Sequence, residues 1–140
     1  SCSLVVSEMC IRDRGTYAAL FAIGSMVETA WQVRKKLAEK GIPTTVVNAR
    51  FAMPLDKNCL RKLAESHPLL VTMEENVASG GFGEHVAAFL EEEALHTKVL
   101  RIAIPDCFVE HGSVGELKKA LGLDADSVTE KILAELPEEL

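Results

Sequence analysis

Short apolar runs alternate with segments of helical period along this chain, and that alternation is what most constrains its fold. The runs at residues 18–23, 44–49, 69–73 and 99–104 are rich in apolar and branched side chains. Between and after them lie five segments whose apolar residues recur at the spacing of one helix face. The order predicts an α/β fold in three layers, in which a mostly parallel sheet lies between helices.

Local signals predict where the helices begin and end. Ser25 followed by Glu28 is the pattern of a capping box, so we expect the first helix to begin there and to end near Gly41. The last helix is expected at residues 127–136, just before Pro137. The buried face of the first helix is predicted to consist of Val27, Ala30, Trp31, Val33 and Leu37.

Length, charge and cysteine pattern exclude several classes of protein. The 140 residues fit one domain, and a net charge of −6 does not favour binding to nucleic acid. No run reaches the roughly 18 consecutive apolar residues of a membrane-spanning helix. The four cysteines show no redox or zinc spacing, so we expect reduced thiols, no metal site and a cytoplasmic protein. Residues 1–14 are too short and broken for a signal peptide; we treat them as a non-native or disordered leader and assign the domain to residues 15–140.

A glycine-rich turn is the first candidate for a binding site. Gly80, Gly81, Phe82 and Gly83, called the glycine turn below, follow a predicted strand and open a predicted helix. Backbone N–H groups and the helix dipole favour an anion at such a position. The turn lacks the lysine and hydroxyl of a P-loop and the full dinucleotide motif. A tight turn with a positive φ and close backbone packing is therefore the favoured interpretation, and an anion or regulatory site is the alternative.

Polar residues after the predicted strands are the other candidates. Glu74 and Glu75 follow the third strand, where α/β proteins commonly place their sites, but neighbours in an extended chain point in opposite directions. We therefore expect one of them in solvent and the other bonded to loop amides or a partner chain, rather than an acid–base pair. Arg50, after the second strand, is expected to pair with a loop carboxylate or to reach a ligand phosphate. His111 is an acid–base candidate, because the neighbouring Glu110 raises the basicity of its imidazole.

Three motifs, taken in order, resemble the C-terminal domain of the transketolase-like thiamin diphosphate enzymes. They are RFAMPLD at residues 50–56, EEN at 74–76 with GGFG at 80–83, and IPD with FVEHG within residues 104–112. The resemblance extends from about residue 19 to residue 136 and implies a mixed sheet of about five strands, one of them antiparallel. Within the family, two segments are most similar to the branch that condenses pyruvate with D-glyceraldehyde 3-phosphate, with loss of CO2, in isoprenoid precursor biosynthesis. They are residues 105–112 and LGLDA at residues 121–125.

The same resemblance implies a scaffold rather than a catalyst. In such enzymes the preceding domains hold thiamin diphosphate and magnesium, so no catalytic residue is carried over to this chain, which is expected to be inactive alone. The domain would pack on the remaining domains of the parent enzyme and add to a homodimer interface, with the glycine turn as the hypothesis for a regulatory site. Two alternatives stay open: the equivalent domain of a 2-oxoacid dehydrogenase E1 β subunit, and a free-standing anion-binding regulatory module.

Overall fold

The computed structural model describes residues 17–49, 57–77, 80–104 and 114–135. They form strands and helices in the order that the sequence predicts. The strands are β1 (Ala18–Ala22), β2 (Thr44–Asn48), β3 (Leu69–Val77) and β4 (Lys98–Ile104). The helices are α1 (Met26–Glu39), α2 (Lys57–Ser66), α3 (Phe82–Glu92), α4 (Val114–Leu121) and α5 (Ala125–Glu135).

The strands form one sheet in the order β2-β1-β3-β4, and every pairing among the described residues is parallel. β1 is central, because its Leu20 pairs with Val46 of β2 on one side and with Val71 of β3 on the other. Helices cover both faces of such a sheet, which explains why the strands are continuous apolar runs in the sequence. The antiparallel strand that the family resemblance implies is not among the strands described.

Two hydrophobic cores lie on opposite faces of the sheet. Alternate residues of β1 contribute to both: Ala18, Leu20 and Ala22 pack with α1 and α5, while Ala19 and Phe21 pack with α2 and α3. The molecule therefore has the three layers that the alternating pattern predicts. Within the described ranges, no helix is both long enough and apolar enough to cross a membrane.

Two predictions about α1 are wrong. Trp31 is 38% exposed, and the guanidinium carbon of Arg34 lies 5.6 Å from its ring centroid, so the indole packs on a surface cation instead of in the core. Ser25 precedes the helix as expected, but its side chain makes no capping hydrogen bond, so the capping box with Glu28 is not formed. The end of α1 is confirmed, since Gly41 follows with a φ of +78°.

The last helix begins two residues earlier than predicted because Asp124 caps it. The Asp124 carboxylate accepts the backbone N–H of Ser127 at 3.2 Å and the Ser127 hydroxyl at 2.6 Å. Burial raises the pKa of Asp124, but the hydrogen bonds from Ser127, a further backbone hydrogen bond and the charge of Lys119 together lower it, and the net pKa is lowered. Ser127 is therefore the third residue of α5 and the donor to its cap, not the first residue of the helix.

Candidate functional site

The carboxyl edge of the sheet between β1 and β3 is the topological switch point of this fold. β1 is followed by α1 on one face, whereas the neighbouring β3 is followed by α3 on the other. Ligand sites in open α/β sheets lie at such a switch point. β3 continues to Val77, beyond the predicted end at Met73, and its pairing with β4 shifts register between these two residues. Glu74 and Glu75 lie within that irregular segment.

Glu74 is buried and bonded to the backbone of the glycine turn. The residue is only 1% exposed. Its Oε1 accepts the N–H of Phe82 at 2.9 Å, and its Oε2 accepts the N–H of Gly83 at 2.6 Å. The carboxylate therefore lies on the N-terminus of α3, where the helix dipole favours a negative charge. One of the two glutamates is thus bonded to loop amides, as the sequence predicts.

The glycine turn owes its glycines to two different physical requirements. Gly80 has a φ of +73°, a backbone conformation that other residues rarely adopt, and its N–H donates to the Glu84 carboxylate. At Gly83 a Cβ would lie 2.6 Å from Thr72 Oγ1 and 3.2 Å from Glu74 Oε2, so a side chain there would clash. The positive φ and the close packing that the sequence predicts for this turn are both confirmed. A regulatory role of the turn stays a prediction.

Glu75 points to the opposite face and is half-exposed. Its carboxylate lies 2.8 Å from the Lys118 ammonium of α4, in an ion pair whose glutamate side chain is 40% exposed. Hydrogen bonds from Lys118 and then from the Ser25 hydroxyl lower the pKa of Glu75. The Ser25 side chain is therefore engaged with a tertiary partner, which explains why it does not cap α1.

The two glutamates do not converge on a common point. Glu74 bonds the turn before α3, on the face of α2 and α3, while Glu75 bonds Lys118 and Ser25 on the face of α1 and α4. General acid–base catalysis by a carboxylate pair needs two groups that reach the same substrate. Glu74 and Glu75 therefore hold elements of the fold together, and their arrangement does not form an acid–base pair.

Other candidate residues lie outside the described part of the chain. Arg50 and His111 are among them, so their predicted contacts stay predictions. Within the ranges that the structure describes, no group of three or more His, Cys, Asp or Glu side chains is placed to hold a metal ion.

A buried histidine was missed by sequence reasoning. His67 is 3% exposed; its Nε2 lies 3.0 Å from the Thr45 hydroxyl of β2, and its Nδ1 lies 3.0 Å from the carbonyl oxygen of Leu63 in α2. The Ser66 hydroxyl, which donates to the Lys62 carbonyl, also lies 2.8 Å from Nδ1, so both ring nitrogens have hydrogen-bond partners within the fold. The imidazole thus joins the end of α2 to the edge strand. Its position directly after Ser66 at the end of α2 is the signal that could have indicated such a role.

Comparison with known proteins gives one matching family. The family model described as "Transketolase, C-terminal domain" matches residues 8–128. Its match begins inside the segment 1–14 that we set apart as a leader, and the boundary of that segment stays a prediction.

Three curated relatives with similar names illustrate the similarity. A 1-deoxy-D-xylulose-5-phosphate synthase of Lachnoclostridium phytofermentans is 56% identical over 115 residues, which are 81% of this chain and 18% of that protein. The 1-deoxy-D-xylulose-5-phosphate synthase 1 of Geobacter metallireducens is 45% identical over 87% of this chain and 20% of its own length. A Shouchella clausii synthase of the same name is 36% identical over 96% of the chain and 22% of its own length. The chain therefore spans about a fifth of the length of these relatives.

Solved structures agree on the fold. A structure described as "Split gene transketolase, inactive beta4 tetramer" superposes with a TM-score of 0.77 at 30% identity, over 86% of this chain and 38% of that one. The transketolase of Campylobacter jejuni has a TM-score of 0.59 at 20% identity, over 88% of this chain and 17% of its own. The second likeness is one of fold alone.

Proposed function

Because this chain belongs to the transketolase C-terminal domain family, we propose that it is the C-terminal domain of a 1-deoxy-D-xylulose-5-phosphate synthase. The observation that carries the proposal is the 56% identity over 115 residues to a protein of that name. The matched part is 18% of that relative, so the chain corresponds to one domain of a larger enzyme. The parent activity is the thiamin diphosphate-dependent condensation of pyruvate with D-glyceraldehyde 3-phosphate.

Within that enzyme the domain acts as a scaffold. The described carboxylates at the sheet edge support this role, because Glu74 and Glu75 are engaged by groups of the same domain. Each carboxylate ties a helix or turn to the end of β3. Glu74 and Glu75 therefore stabilise the surface that neighbouring domains contact, and they do not act on a substrate.

The glycine turn does not fit the diphosphate of the parent's cofactor. Two of its amides already donate to the Glu74 carboxylate, and a diphosphate brought there would meet that negative charge in a buried setting. We therefore assign thiamin diphosphate and magnesium to the preceding domains of the parent enzyme. There the cofactor supplies the carbanion chemistry of the condensation.

The partners follow from the same proposal. The remaining domains of the parent enzyme and a second copy of that enzyme are the surfaces against which this domain packs, in a cytoplasmic homodimer. The 30% identity and TM-score of 0.77 to a chain described as a β4 tetramer of a split transketolase support association through domains of this kind.

A domain exchange tests the proposal. Residues 15–140 replace the matching segment of the Lachnoclostridium phytofermentans synthase, and formation of 1-deoxyxylulose 5-phosphate is measured in the purified chimera. We expect a dimeric chimera that keeps most of the parental activity, since the two domains are 56% identical. The positive control is the same exchange with the Geobacter metallireducens domain, and the negative control places residues 15–140 in the Campylobacter jejuni transketolase. A chimera that folds but is inactive, while the Geobacter exchange is active, contradicts the proposal.

A further inference from the structure

The N-terminus of α3 holds an anion that the chain itself supplies. Both oxygens of the Glu74 carboxylate accept backbone N–H groups, from Phe82 at 2.9 Å and from Gly83 at 2.6 Å. Proteins bind free carboxylates and phosphates in the same way, with backbone amides at the start of a helix that converge on one anion. The side chain therefore lies where a ligand of that class would lie.

Thr72 adds a second polar group at the same place. The residue is fully buried, and its hydroxyl finds no hydrogen-bond partner among the described residues. Its Oγ1 lies 2.6 Å from the point where a Cβ of Gly83 would be, so it faces the first turn of α3. A buried hydroxyl without a partner is costly, and an acceptor close to this position would relieve that cost.

We propose that the amides of Phe82 and Gly83 form an anion site beside the unpartnered Thr72 hydroxyl. The Glu74 carboxylate occupies these amides, and a free carboxylate the size of acetate takes its place once that side chain is truncated. Truncation to alanine removes the atoms beyond Cβ, and acetate matches them in number and charge. In the wild-type chain the resident carboxylate occupies the amides, and an external anion gains no hydrogen bond there. This proposal does not rest on the proposed function.

The experiment is a chemical rescue of Glu74→Ala in the full 140-residue chain. Thermal unfolding is followed in sodium acetate and in sodium chloride at equal ionic strength. In chloride we expect a loss of roughly 10 °C in Tm, since two charge-assisted hydrogen bonds to buried amides are lost. Acetate at about tenfold its Kd is expected to restore about 4 °C.

Three comparisons keep the test decisive. Wild type and Glu75→Ala are expected to show the same Tm in both salts, because the amides are occupied in each. Glu74→Gln fills the site with a neutral side chain and is expected to lose stability without gaining any from acetate. If Glu74→Ala is unfolded in chloride, acetate is expected to restore its folded circular dichroism spectrum.

Several results would overturn the proposal. Glu74→Ala that is as stable as wild type shows that the amides do not need an anion. If acetate raises the Tm of Glu74→Ala no more than that of Glu75→Ala, the turn is not a site for free carboxylates. The same holds if Glu74→Ala is unfolded and no anion refolds it. A wild-type chain stabilised by acetate, or by inorganic phosphate, as strongly as Glu74→Ala shows that Glu74 does not occupy the site and favours the regulatory alternative for the glycine turn.

Discussion

Glu74 and Glu75 are adjacent and chemically identical, yet they stabilise the carboxyl edge of the sheet in different ways. Glu74 is 1% exposed and accepts two backbone amides of the glycine turn. Glu75 is half-exposed and pairs with the Lys118 ammonium and the Ser25 hydroxyl. A buried anion on backbone donors has no solvent to replace its partners, whereas an exposed ion pair does. The same residue type therefore stabilises the fold strongly on one face of the sheet and weakly on the other.

Replacing Glu74 by Gln is expected to produce the largest effect. The amide oxygen can still accept one N–H, but the NH2 group then faces a second donor and leaves one buried backbone amide without an acceptor. We expect a loss of about 3 kcal/mol in the free energy of unfolding, measured by urea denaturation of the full chain. Glu75→Gln is the matched control, and equal losses in the two variants would remove the distinction between the two faces.

Replacing Gly83 by Ala is expected to come next. The new Cβ would lie 2.6 Å from Thr72 Oγ1, so either the buried Thr72 side chain or α3 must shift, and we expect a loss of about 2 kcal/mol in the free energy of unfolding. In a Thr72→Ala background the opposing hydroxyl is absent, and the cost of Gly83→Ala is expected to fall, as a double-mutant cycle of urea denaturation measures. Additive losses would show that Thr72 does not set the close approach.

Gly80→Ala is the matched control for Gly83→Ala. Nothing lies within 4 Å of a Cβ at Gly80, but its φ is +73°. We expect a loss of about 1 kcal/mol from the left-handed conformation alone, unaffected by Thr72→Ala. If the stability lost in Gly80→Ala changed in the Thr72→Ala background, positive φ at Gly80 and close packing at Gly83 would not be separate requirements.

Glu75→Gln is expected to cost less than about 1 kcal/mol, because the ion pair with Lys118 is partly open to solvent. Lys118→Met removes the other half of the pair and is expected to cost a similar amount. The double variant is expected to lose less than the sum of the single variants, since both remove the same interaction. High salt is expected to reduce the difference between wild type and Glu75→Gln.

The smallest effect is the dependence of the Glu75 contribution on pH. The folded-state pKa of Glu75 is lowered from its ordinary value of 4.5 by Lys118 and Ser25. A lowered pKa of an acid means stability that is present above the unfolded pKa and lost as pH falls through the folded pKa. We expect the stability difference between wild type and Glu75→Gln to be constant above about pH 5 and to shrink at lower pH. A difference that grows on acidification would contradict the sign of this shift.

The sequence was sufficient for the order of elements because each buried strand is a continuous apolar run. It was not sufficient for the end of β3, where the pairing with β4 shifts after Met73 and two charged residues interrupt the apolar pattern. The alternation of an extended chain did predict that Glu74 and Glu75 point apart. Which of them faces the glycine turn depends on which face of the sheet α3 covers, and that is a property of the assembled fold.

One prediction for α1 was wrong because a side chain binds a partner from another part of the fold instead of one nearby in the sequence. Ser25 and Glu28 have the spacing of a capping box, but the Ser25 hydroxyl bonds Glu75, a residue of another strand. Trp31 fits the apolar period of α1, yet it packs under Arg34 at the surface. At α5 the signal was local but was assigned to the wrong residue, because Asp124 and Ser127 are both good caps and only one precedes the helix.

Hydrogen exchange of two amides tests most directly whether Glu74 anchors the glycine turn. The measurement is the exchange rate of the Phe82 and Gly83 N–H groups by NMR in the wild type, in Glu75→Gln and in Glu74→Gln. We predict slow exchange of both amides in the wild type and in Glu75→Gln, and faster exchange of at least one of them in Glu74→Gln. Exchange in the wild type as fast as in an exposed loop, or equal rates in all three proteins, would contradict the role assigned to the buried carboxylate.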